Sequence, residues 1–349
     1  MSVPEQVWTS KTTYEQWMEK QGIPIYRAYH IPDLKDLELG HWARSDSAAA
    51  FIVFSGADDA MGTMVSELPP GAKSAPQRHF YEEMIYVLSG RGATEVWYDG
   101  QTPRMFEWGA GAMFTIPLNA HFRHYNGSGQ TPARFVSVTL APLFINLFRD
   151  EEYIFNNPSN FPARYDARED YFTWEGIRHP GRAFETNFIP NCVDLPLEEW
   201  KERGAGGRNL FIELGDNTLA AHISEFPVGT YKKAHRHGPE FHIIILKGEG
   251  YSLMWPEGEE IQQYRWHPGS MFVPPDRWFH QHFNVGPEPA RYLAIRWGSF
   301  KNKVSTRSLG AVAKSTRLGG DQIEYEDQDP KVHALFVEEC AQRGVTVNM

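Results

Sequence analysis

The sequence repeats itself at one fixed offset, and this repeat constrains the fold more than any other feature. When the chain is shifted by 158 positions, rare residue types coincide without a break between residues 71 and 126. The coinciding pairs include Gly71 and Gly229, Arg78 and Arg236, His79 and His237, Gly90 and Gly248, Gly92 and Gly250, Trp97 and Trp255, Trp108 and Trp266, Gly111 and Gly269, Pro117 and Pro275, His124 and His282, and Asn126 and Asn284. Two long copies do not make a solenoid of short units, so we predict two tandem copies of one domain.

Both copies have the composition of β-structure. The segments EEMIYVLSGRGATEVWYDG and FHIIILKGEGYSLMW contain short β-branched and aromatic runs separated by glycines. Such runs, interrupted by Gly, Pro and Asn at close intervals, are typical of an all-β sandwich or barrel. Gly90, Gly92, Gly248 and Gly250 suit tight turns that require positive φ.

The two copies are joined by a strap and flanked by two extensions. We expect an N-terminal extension over 1–45, the first copy over 46–148, the strap over 149–205, the second copy over 206–300 and a C-terminal extension over 301–349. Helical pattern is confined to the extensions. One short helix is predicted to end at Gly22, and another to begin after Asp329 and end at Gly344. The strap is rich in aromatics, which indicates ordered packing rather than a flexible linker.

Composition excludes several classes of partner. The chain has 349 residues, with 34 Lys and Arg against 44 Asp and Glu, for a net charge of −10. This balance argues against nucleic acid, which needs basic patches. No apolar run is long enough for a membrane span or has the form of a secretion signal. Two cysteines are too few for a disulfide framework, so we expect a cytoplasmic protein.

A cluster of histidines in KKAHRHGPEFH predicts a metal site. Residues at i and i+2 of a strand point to one face, so His235 and His237 can enter the same domain interior. His280, from a distant strand, can complete a set of three nitrogens that leaves positions open for substrate or oxygen. Imidazole donors suit iron, manganese, nickel, copper or zinc. The alternative is a solvated turn and a hydrogen-bonded core histidine.

The repeated pattern resembles the cupin superfamily, whose motifs are G-x5-H-x-H-x3-4-E-x6-G and G-x5-P-x-G-x2-H-x3-N. The second copy matches them at Gly229, His235, His237, Gly248, Gly269, Pro275, His280 and Asn284, and Arg277 replaces one motif glycine. The resemblance implies an all-β fold of two tandem cupin barrels of jelly-roll type with short flanking helices. It also implies His235, His237 and His280 as ligands.

The position of the family's glutamate is altered. Phe241 stands there in the second copy, whereas the first copy keeps Glu83. His242 is a possible fourth ligand, because it has the alternative spacing from His237. On a regular strand, however, residues 241 and 242 point to opposite faces, so His242 would need a bulge to turn inward. A three-histidine site is the main expectation.

The first copy retains only part of the ligand set. Gln77 replaces the first histidine and Phe122 the last, while His79 and Glu83 remain. His121 and His124 lie near the lost position, and a shift of one residue would be needed to recruit either. We expect a structural domain in which Gln77, His79 and Glu83 are the remnant of a site.

Five residues of the second copy are candidates for substrate contact or catalysis. His282 lies two residues after His280 and should face the same way, as a substrate contact, a proton shuttle or an ordinary hydrogen-bonded histidine. Arg296 could anchor a substrate carboxylate or form a surface ion pair. Trp278, Phe241 and Gln281 adjoin the ligands, although aromatics of this kind more often belong to the core.

The three-histidine pattern resembles the ring-cleaving dioxygenases of gentisate, salicylate and 1-hydroxy-2-naphthoate. That resemblance implies an Fe(II) enzyme that binds a hydroxylated aromatic acid or a similar chelating small molecule. Those enzymes keep their metal in the N-terminal barrel, whereas the intact histidine set here is in the second copy. Alternatives are a redox-neutral lyase, isomerase or hydrolase with Mn, Zn, Ni or Cu, and a non-catalytic binding protein. We also expect a homo-oligomer, either a dimer or a tetramer.

Overall fold

Among the residues that the structure describes, the helices lie in the two extensions and around the end of the first copy. The computed structural model describes residues 10–57, 60–200, 202, 204, 206–238, 241–304 and 314–349. The helices are α1 (Thr13–Lys20), α2 (Ala141–Phe148), α3 (Glu151–Asn156) and α4 (Pro330–Gln342), with a 3-10 turn at Thr316–Leu318. No helix among the described residues combines the length and apolarity needed to cross a membrane.

Most of the regular secondary structure is β-strand. The first eleven strands are β1 (Ile25–Ala28), β2 (His30–Ile31), β3 (Gly40–Trp42), β4 (Ser47–Phe54), β5 (Gly62–Leu68), β6 (Glu83–Ser89), β7 (Arg91–Trp97), β8 (Arg104–Gly109), β9 (Met113–Ile116), β10 (His121–Asn126) and β11 (Ala133–Thr139). The strap and the second copy contribute β12 (Gly176–His179), β13 (Ala183–Thr186), β14 (Phe188–Ile189), β15 (Glu198–Glu199), β16 (Arg208–Leu214), β17 (Leu219–Phe226), β18 (Phe241–Lys247), β19 (Gly250–Trp255), β20 (Gln262–Trp266), β21 (Met271–Phe272), β22 (Phe279–Asn284) and β23 (Ala290–Trp297).

Each copy is built from one large and one small sheet. In the first copy the large sheet has the order β1-β4-β5-β11-β6-β9-β14, with β3 on β4, and the small sheet is β10-β7-β8. In the second copy the orders are β12-β13-β16-β17-β23-β18-β21-β2, with β15 on β16, and β20-β19-β22. The predicted all-β fold of two jelly-roll domains is confirmed, but the sheets do not close into continuous barrels.

Short strands from outside each copy tie the two copies together. Strand β2 of the N-terminal extension pairs with β21 of the second copy, and β14 of the strap pairs with β9 of the first. A single apolar core also contains side chains of both copies, such as Val65 and Ile295. The extension and the strap are therefore structural parts of the sheets, as the aromatic content of the strap predicted.

The helix signals of the two extensions are confirmed. Thr12 caps α1 in a reciprocal capping box with Glu15. The Asp329 side chain accepts a hydrogen bond from the backbone N–H of Lys331 at the start of α4. The expectation that helices occur only in the extensions is wrong, because α2 and α3 follow the last strand of the first copy. The apolar run APLFINLF of α2 reads equally well as a short strand, which is why the sequence did not reveal it.

The repeated glycines have two different structural roles. Gly90 and Gly248 have φ of 85° and 81°, as the predicted turns require. The prediction of positive φ is wrong for Gly92 and Gly250, which are not in the left-handed region. A Cβ at either position would collide with a carbonyl oxygen of the neighbouring strand and with a tryptophan ring, so there glycine permits close strand approach.

Candidate metal centre

Three histidines of the second copy meet inside it. His280 lies on β22, and His235 lies opposite it in an isolated bridge with backbone N–O distances of 3.1 and 2.8 Å. His237 follows His235 by two residues in the chain. One ring nitrogen of each histidine lies within 4.8 Å of the others, and all three residues are buried. The structure thus brings together the three residues expected to be ligands.

Backbone carbonyls orient two of these rings. Nδ1 of His235 lies 3.4 Å from the carbonyl oxygen of Lys233, and Nδ1 of His280 lies 3.3 Å from that of Trp278. A carbonyl only accepts hydrogen bonds, so each Nδ1 is the donor, and in a neutral ring Nε2 is then left unprotonated. The lone pair of Nε2 then faces the opposite side, which is the usual arrangement of metal-binding histidines. The donor set fits a divalent transition metal.

The three histidines form part of the wall of a cavity of about 110 Å³. The remaining lining side chains are Trp200, Phe211, His222, Phe241, Ile243, His282, Tyr292, Ala294, Arg296 and Phe300. Most of this wall is apolar, with polar groups at a few points, as in small-molecule sites. Phe300 is 43% exposed, so it lies where the cavity approaches the surface.

Arg296 is the cation of this cavity. Its guanidinium packs over the rings of Phe300, Phe211 and Phe241 at 4.5, 5.5 and 5.6 Å, and the residue is 2% exposed. Burial lowers the pKa of Arg296 to about 10, although the Glu213 carboxylate acts in the opposite direction, so the side chain stays charged at neutral pH. No described carboxylate forms an ion pair with it, and its buried Nε has no hydrogen-bond partner.

Strand register explains why Phe241 and Arg296 share this wall. Phe241 on β18 is paired with Arg296 on β23, so both side chains project to the same face. The Phe241 ring also lies 4.2 Å from that of His237, between centroids. Phe241 therefore lies between the histidine set and the guanidinium. It occupies the position at which the cupin motif has a glutamate.

His242 lies on the opposite face of β18. The strand is regular at this point, since its register shift falls between Ile245 and Lys247, and no bulge turns His242 inward. Its ring contacts Phe54 of the first copy at 5.7 Å, and burial lowers its pKa to about 3. The structure therefore does not bring this possible fourth ligand to the other three.

His282 faces the cavity but is also part of a repeated structural contact. Its Nδ1 lies 2.8 Å from Oγ of Ser252, which accepts a hydrogen bond from the indole of Trp266 at 3.0 Å. The first copy has the same arrangement, with His124, Thr94 and Trp108 at the equivalent positions. Because it occurs in both copies, this arrangement orients the histidine independently of any metal.

Trp278 and Gln281 do not line the cavity, contrary to their expected role. Trp278 stacks on Tyr29 of the N-terminal extension at 5.8 Å. The Gln281 side chain donates to the backbone oxygen of Lys232 at 2.8 Å, on the opposite face of β22 from His280 and His282. Alternation along the strand puts residue 281 outside whenever residues 280 and 282 are inside.

Sequence reasoning missed several cavity residues. His222 and Tyr292 come from β17 and β23, and the Tyr292 hydroxyl lies 3.1 Å from the ammonium of Lys232. A signal existed for Tyr292, because alternation in RYLAIRW places it on the same face as Arg296. His222 joins the cavity only through its pairing with Ala294, which requires knowledge of strand order.

In the first copy, the remnant residues bind each other. Gln77 and Phe122 form the same backbone bridge as His235 and His280. His79 places Nδ1 2.9 Å from the Tyr81 carbonyl and Nε2 2.9 Å from a Glu83 oxygen. Burial alone would raise the pKa of Glu83, but hydrogen bonds from His79 and Ser137 lower it overall, so the two form a buried ion pair. The adjoining cavity is only about 30 Å³.

The two nearby histidines of the first copy do not replace the lost ligand. His121 stacks on Trp97 at 5.4 Å and lies 3.1 Å from the Asp99 carboxylate. His124 is held by Thr94. Within the described residues, the one group of three or more potential ligands that lie close together is in the second copy.

Comparison with known proteins agrees with this fold. A family model described as Cupin domain matches residues 64–139, and no curated protein has a significant match. The chain is similar to the formate complex of oxalate decarboxylase from Lactobacillus farciminis, with a TM-score of 0.54, 14% identity, and coverage of 87% of this chain and 95% of that one. It is also similar to a variant of oxalate decarboxylase from Bacillus subtilis, with a TM-score of 0.52, 15% identity, and coverage of 88% and 86%.

At this level of identity, the structural likeness establishes the fold alone. Residues 64–139 match the cupin-domain model, and the two jelly-roll domains of the chain match the fold of the bicupin structures. These comparisons support the cupin superfamily and not the narrower resemblance to ring-cleaving dioxygenases.

Proposed function

We propose that this chain is a metal-dependent enzyme of the lyase type that cleaves a carbon–carbon bond in a small carboxylate. The observation that carries the proposal is the placement of three histidines and one buried, charged arginine in the wall of a single cavity. The histidines would hold the metal and Arg296 would hold a carboxylate. The second copy would be the catalytic one.

His235, His237 and His280 are suited to Fe(II), with Mn, Zn, Ni and Cu as alternatives, because imidazole binds all of these ions. When bound, such a metal supplies Lewis acidity toward an oxygen of the substrate. The chain itself holds the rings in the required tautomer through the carbonyls of Lys233 and Trp278. Since all three donors are neutral, the positive charge of the ion would be undiminished and would favour an anionic substrate.

Arg296 supports a carboxylate substrate. A guanidinium offers planar, bidentate hydrogen bonding that matches a carboxylate. In this cavity it is surrounded by aromatic rings and has no described carboxylate within ion-pair distance, so an anionic substrate would supply the missing partner. The surface ion pair considered from sequence does not form, because the residue is buried.

The size of the cavity favours a small aliphatic acid. A dry cavity of roughly 150 Å³ is known to accommodate benzene. The space here is about 110 Å³, which is smaller than that benzene-binding cavity. A substrate of a few carbon atoms therefore fits better than a hydroxybenzoate.

The fold comparison points to the same class. Two of the similar structures are oxalate decarboxylases, and one of these was solved with formate, itself a small carboxylate. In a decarboxylation the carbon–carbon bond breaks, carbon dioxide leaves, and the electron pair remaining on carbon takes up a proton. His282 and Tyr292 line the cavity and have ionisable groups that can transfer protons, the first oriented by Ser252 and the second in contact with Lys232.

An Fe(II) dioxygenase is the second candidate. Phe241 in place of a carboxylate leaves an all-histidine donor set, as in the ring-cleaving enzymes that the motifs resemble. That candidate requires uptake of oxygen and a site that opens to admit an aromatic ring. Assembly into dimers or tetramers stays a prediction for either candidate.

The test begins with elemental analysis of protein purified without oxygen, compared with His280→Ala. We expect about one metal ion per wild-type chain and loss of metal in the variant. The metal-loaded protein is then incubated with C2–C4 carboxylates and with hydroxybenzoates, while carbon dioxide release and oxygen uptake are both measured. Carbon dioxide without net oxygen consumption supports the lyase; oxygen uptake with a hydroxybenzoate supports the dioxygenase. A wild-type chain without metal would overturn both.

A further inference from the structure

One carboxylate of the C-terminal extension holds together the two segments that carry the histidines. We propose that Asp321 is a positioning residue for the metal centre and that the C-terminal extension helps to hold the histidines of that centre in place. This inference rests on the proposed metal site. It concerns a residue outside both cupin motifs and more than 40 positions beyond the last histidine.

Asp321 binds one arginine from each motif. Arg236, which separates His235 from His237, donates from Nε to Oδ1 of Asp321 at 3.0 Å. Arg277, three residues before His280, donates to Oδ1 at 2.9 Å and to Oδ2 at 3.3 Å. The carboxylate therefore bridges the two chain segments whose separation sets the distances between the histidines.

The backbone of the extension reinforces this bridge. The N–H of Arg236 donates to the carbonyl of Asp321 at 3.0 Å, and the N–H of Ile323 donates to the carbonyl of Ala234 at 2.8 Å. Gln322 forms an isolated β-bridge with His235 itself. Residues 321–323 thus lie along the edge of the segment that bears His235, as an added short strand.

Arg277 occupies a backbone position at which the cupin motif has glycine. Its φ is 62°, in the left-handed region that an L side chain adopts at a cost in free energy. Glycine would avoid that cost, but it could not reach Asp321. Glycine would lose the ion pair with Asp321, which gives a physical reason for the departure from the motif.

The Asp321 bridge is less exposed to solvent than an ordinary surface ion pair. The side chain of Asp321 is 14% exposed and that of Arg236 is 19% exposed, whereas Arg277 is 53% exposed. The extension also contains the pair of Arg317 and Asp327, whose side chains are 58% and 29% exposed. Among the described residues, no hydrogen bond or ion pair joins the side chains of that pair to either histidine segment, so it provides a matched control.

The first copy joins its equivalent segments differently. Asp99, a residue of that copy, lies 3.3 Å from Arg78 and 3.1 Å from His121. Arg78 also donates to the backbone oxygen of Asn119 at 2.9 Å, and Asn119 has φ of 58° at the position equivalent to Arg277. The Asn119 amide in turn donates to the backbone oxygens of Asn157 and Ser159, in the chain that follows that copy. Clamping by the following chain is thus common to both copies. Among the described residues, the following chain supplies a carboxylate to both segments in the copy with the histidine set, where ligand positions must be held closely.

The experiment measures metal affinity rather than activity. Co²⁺ is titrated into the metal-free full chain in competition with a chelator, and the visible absorption of the bound ion reports its coordination. We expect Asp321→Asn to bind Co²⁺ about 10- to 100-fold more weakly, with an altered spectrum, which is the range for partners that support ligands. Asp327→Asn should bind like the wild type.

A second variant keeps the inference testable if Asp321→Asn does not fold. Arg277→Gly restores the motif residue, relieves the left-handed strain and removes the same bridge, so it should also weaken Co²⁺ binding. If both residues act through one contact, the double variant will be no weaker than the weaker single variant. Wild-type affinity and spectrum in Asp321→Asn, or in Arg277→Gly where the former is unfolded, would overturn the inference while leaving the proposed function intact. A wild-type chain that binds no metal overturns both.

Discussion

The two copies place different chemistry on the same strand register. Interior positions that differ include Gln77 and His235, Phe122 and His280, Glu83 and Phe241, and Thr139 and Arg296, where the last two pairs follow from the matching pairing of β6 with β11 and of β18 with β23. In the first copy, His79 and Glu83 bind each other. The second copy has three histidines and a buried arginine in the wall of its cavity. Differences at these positions therefore separate a domain whose polar residues pair internally from one for which we propose a bound metal and anion.

The interior cavities of the two copies reflect the same difference. About 30 Å³ remains beside the ion pair of the first copy, against about 110 Å³ beside the histidines of the second. The comparison teaches that the fold alone does not make a site. Exchanging residues between the two copies is therefore the most direct test of this conclusion.

The largest effect should come from building the ligand set into the first copy. Gln77→His combined with Phe122→His supplies the two missing imidazoles on a backbone bridge that matches the one between His235 and His280. With His79 and Glu83 already present, we expect bound metal to rise from about one to about two equivalents per chain by elemental analysis. The same positions changed to leucine serve as the control. Unchanged stoichiometry in the double variant would show that the copies differ in backbone as well as in side chains.

The second prediction concerns the buried ion pair of the first copy. His79→Leu leaves Glu83 buried without its cation, which should lower the free energy of unfolding by about 3–5 kcal/mol. Adding Glu83→Phe, the residue of the second copy, removes the isolated charge and should recover most of that loss. Urea denaturation at pH 7 measures both. Equal destabilisation in the single and double variants would mean that the pair contributes packing rather than charge compensation.

The third prediction concerns acid sensitivity at the contact between the copies. His242 is buried with a pKa of about 3, below the value of about 6.5 for an unfolded chain, so the unfolded state binds more protons between these values. Stability is therefore lost as the pH falls through this window. His242→Met, which introduces the residue found at Met84 of the first copy, should remove that loss, about 3 kcal/mol at pH 4.5. The two proteins are compared by denaturation at pH 7 and pH 4.5 without metal; parallel pH profiles would contradict the expectation.

The smallest effect is expected from removing the cation of the second copy. Arg296→Thr, the first-copy residue, should retain the metal but weaken binding of acetate or oxalate by roughly 10- to 100-fold, because a charge-assisted bidentate contact is lost. Perturbation of the Co²⁺ spectrum by added carboxylate measures this affinity. Arg296→Lys should recover only part of it, since an ammonium lacks the planar fork. Undiminished carboxylate binding in the threonine variant would assign the anchor elsewhere.

The sequence indicated the three histidines because two are locally spaced and the third fits the second cupin motif. Alternation along a strand was enough to pair His235 with His237, and to place Phe241 and His242 on opposite faces. The expectation of a substrate contact is wrong for Trp278 and Gln281, which lie near His280 in sequence. Trp278 turns toward the N-terminal extension, and Gln281 lies on the outer face of its strand. Sequence reasoning also missed His222, whose place in the cavity depends on the partner of β17.

The sequence by itself determined the duplication and the β architecture, since these follow from the repeat at one offset and from periodicity within short segments. It also indicated the three-histidine set, through strand alternation for His235 and His237 and through the cupin motif for His280. Tertiary structure alone decided which neighbours complete the site. Burial of Arg296 among three aromatic rings, the internal pairing of His79 with Glu83 and the bridge from Asp321 all join residues distant in the chain. Such contacts depend on strand order and on how the extensions pack, and no local pattern encodes these.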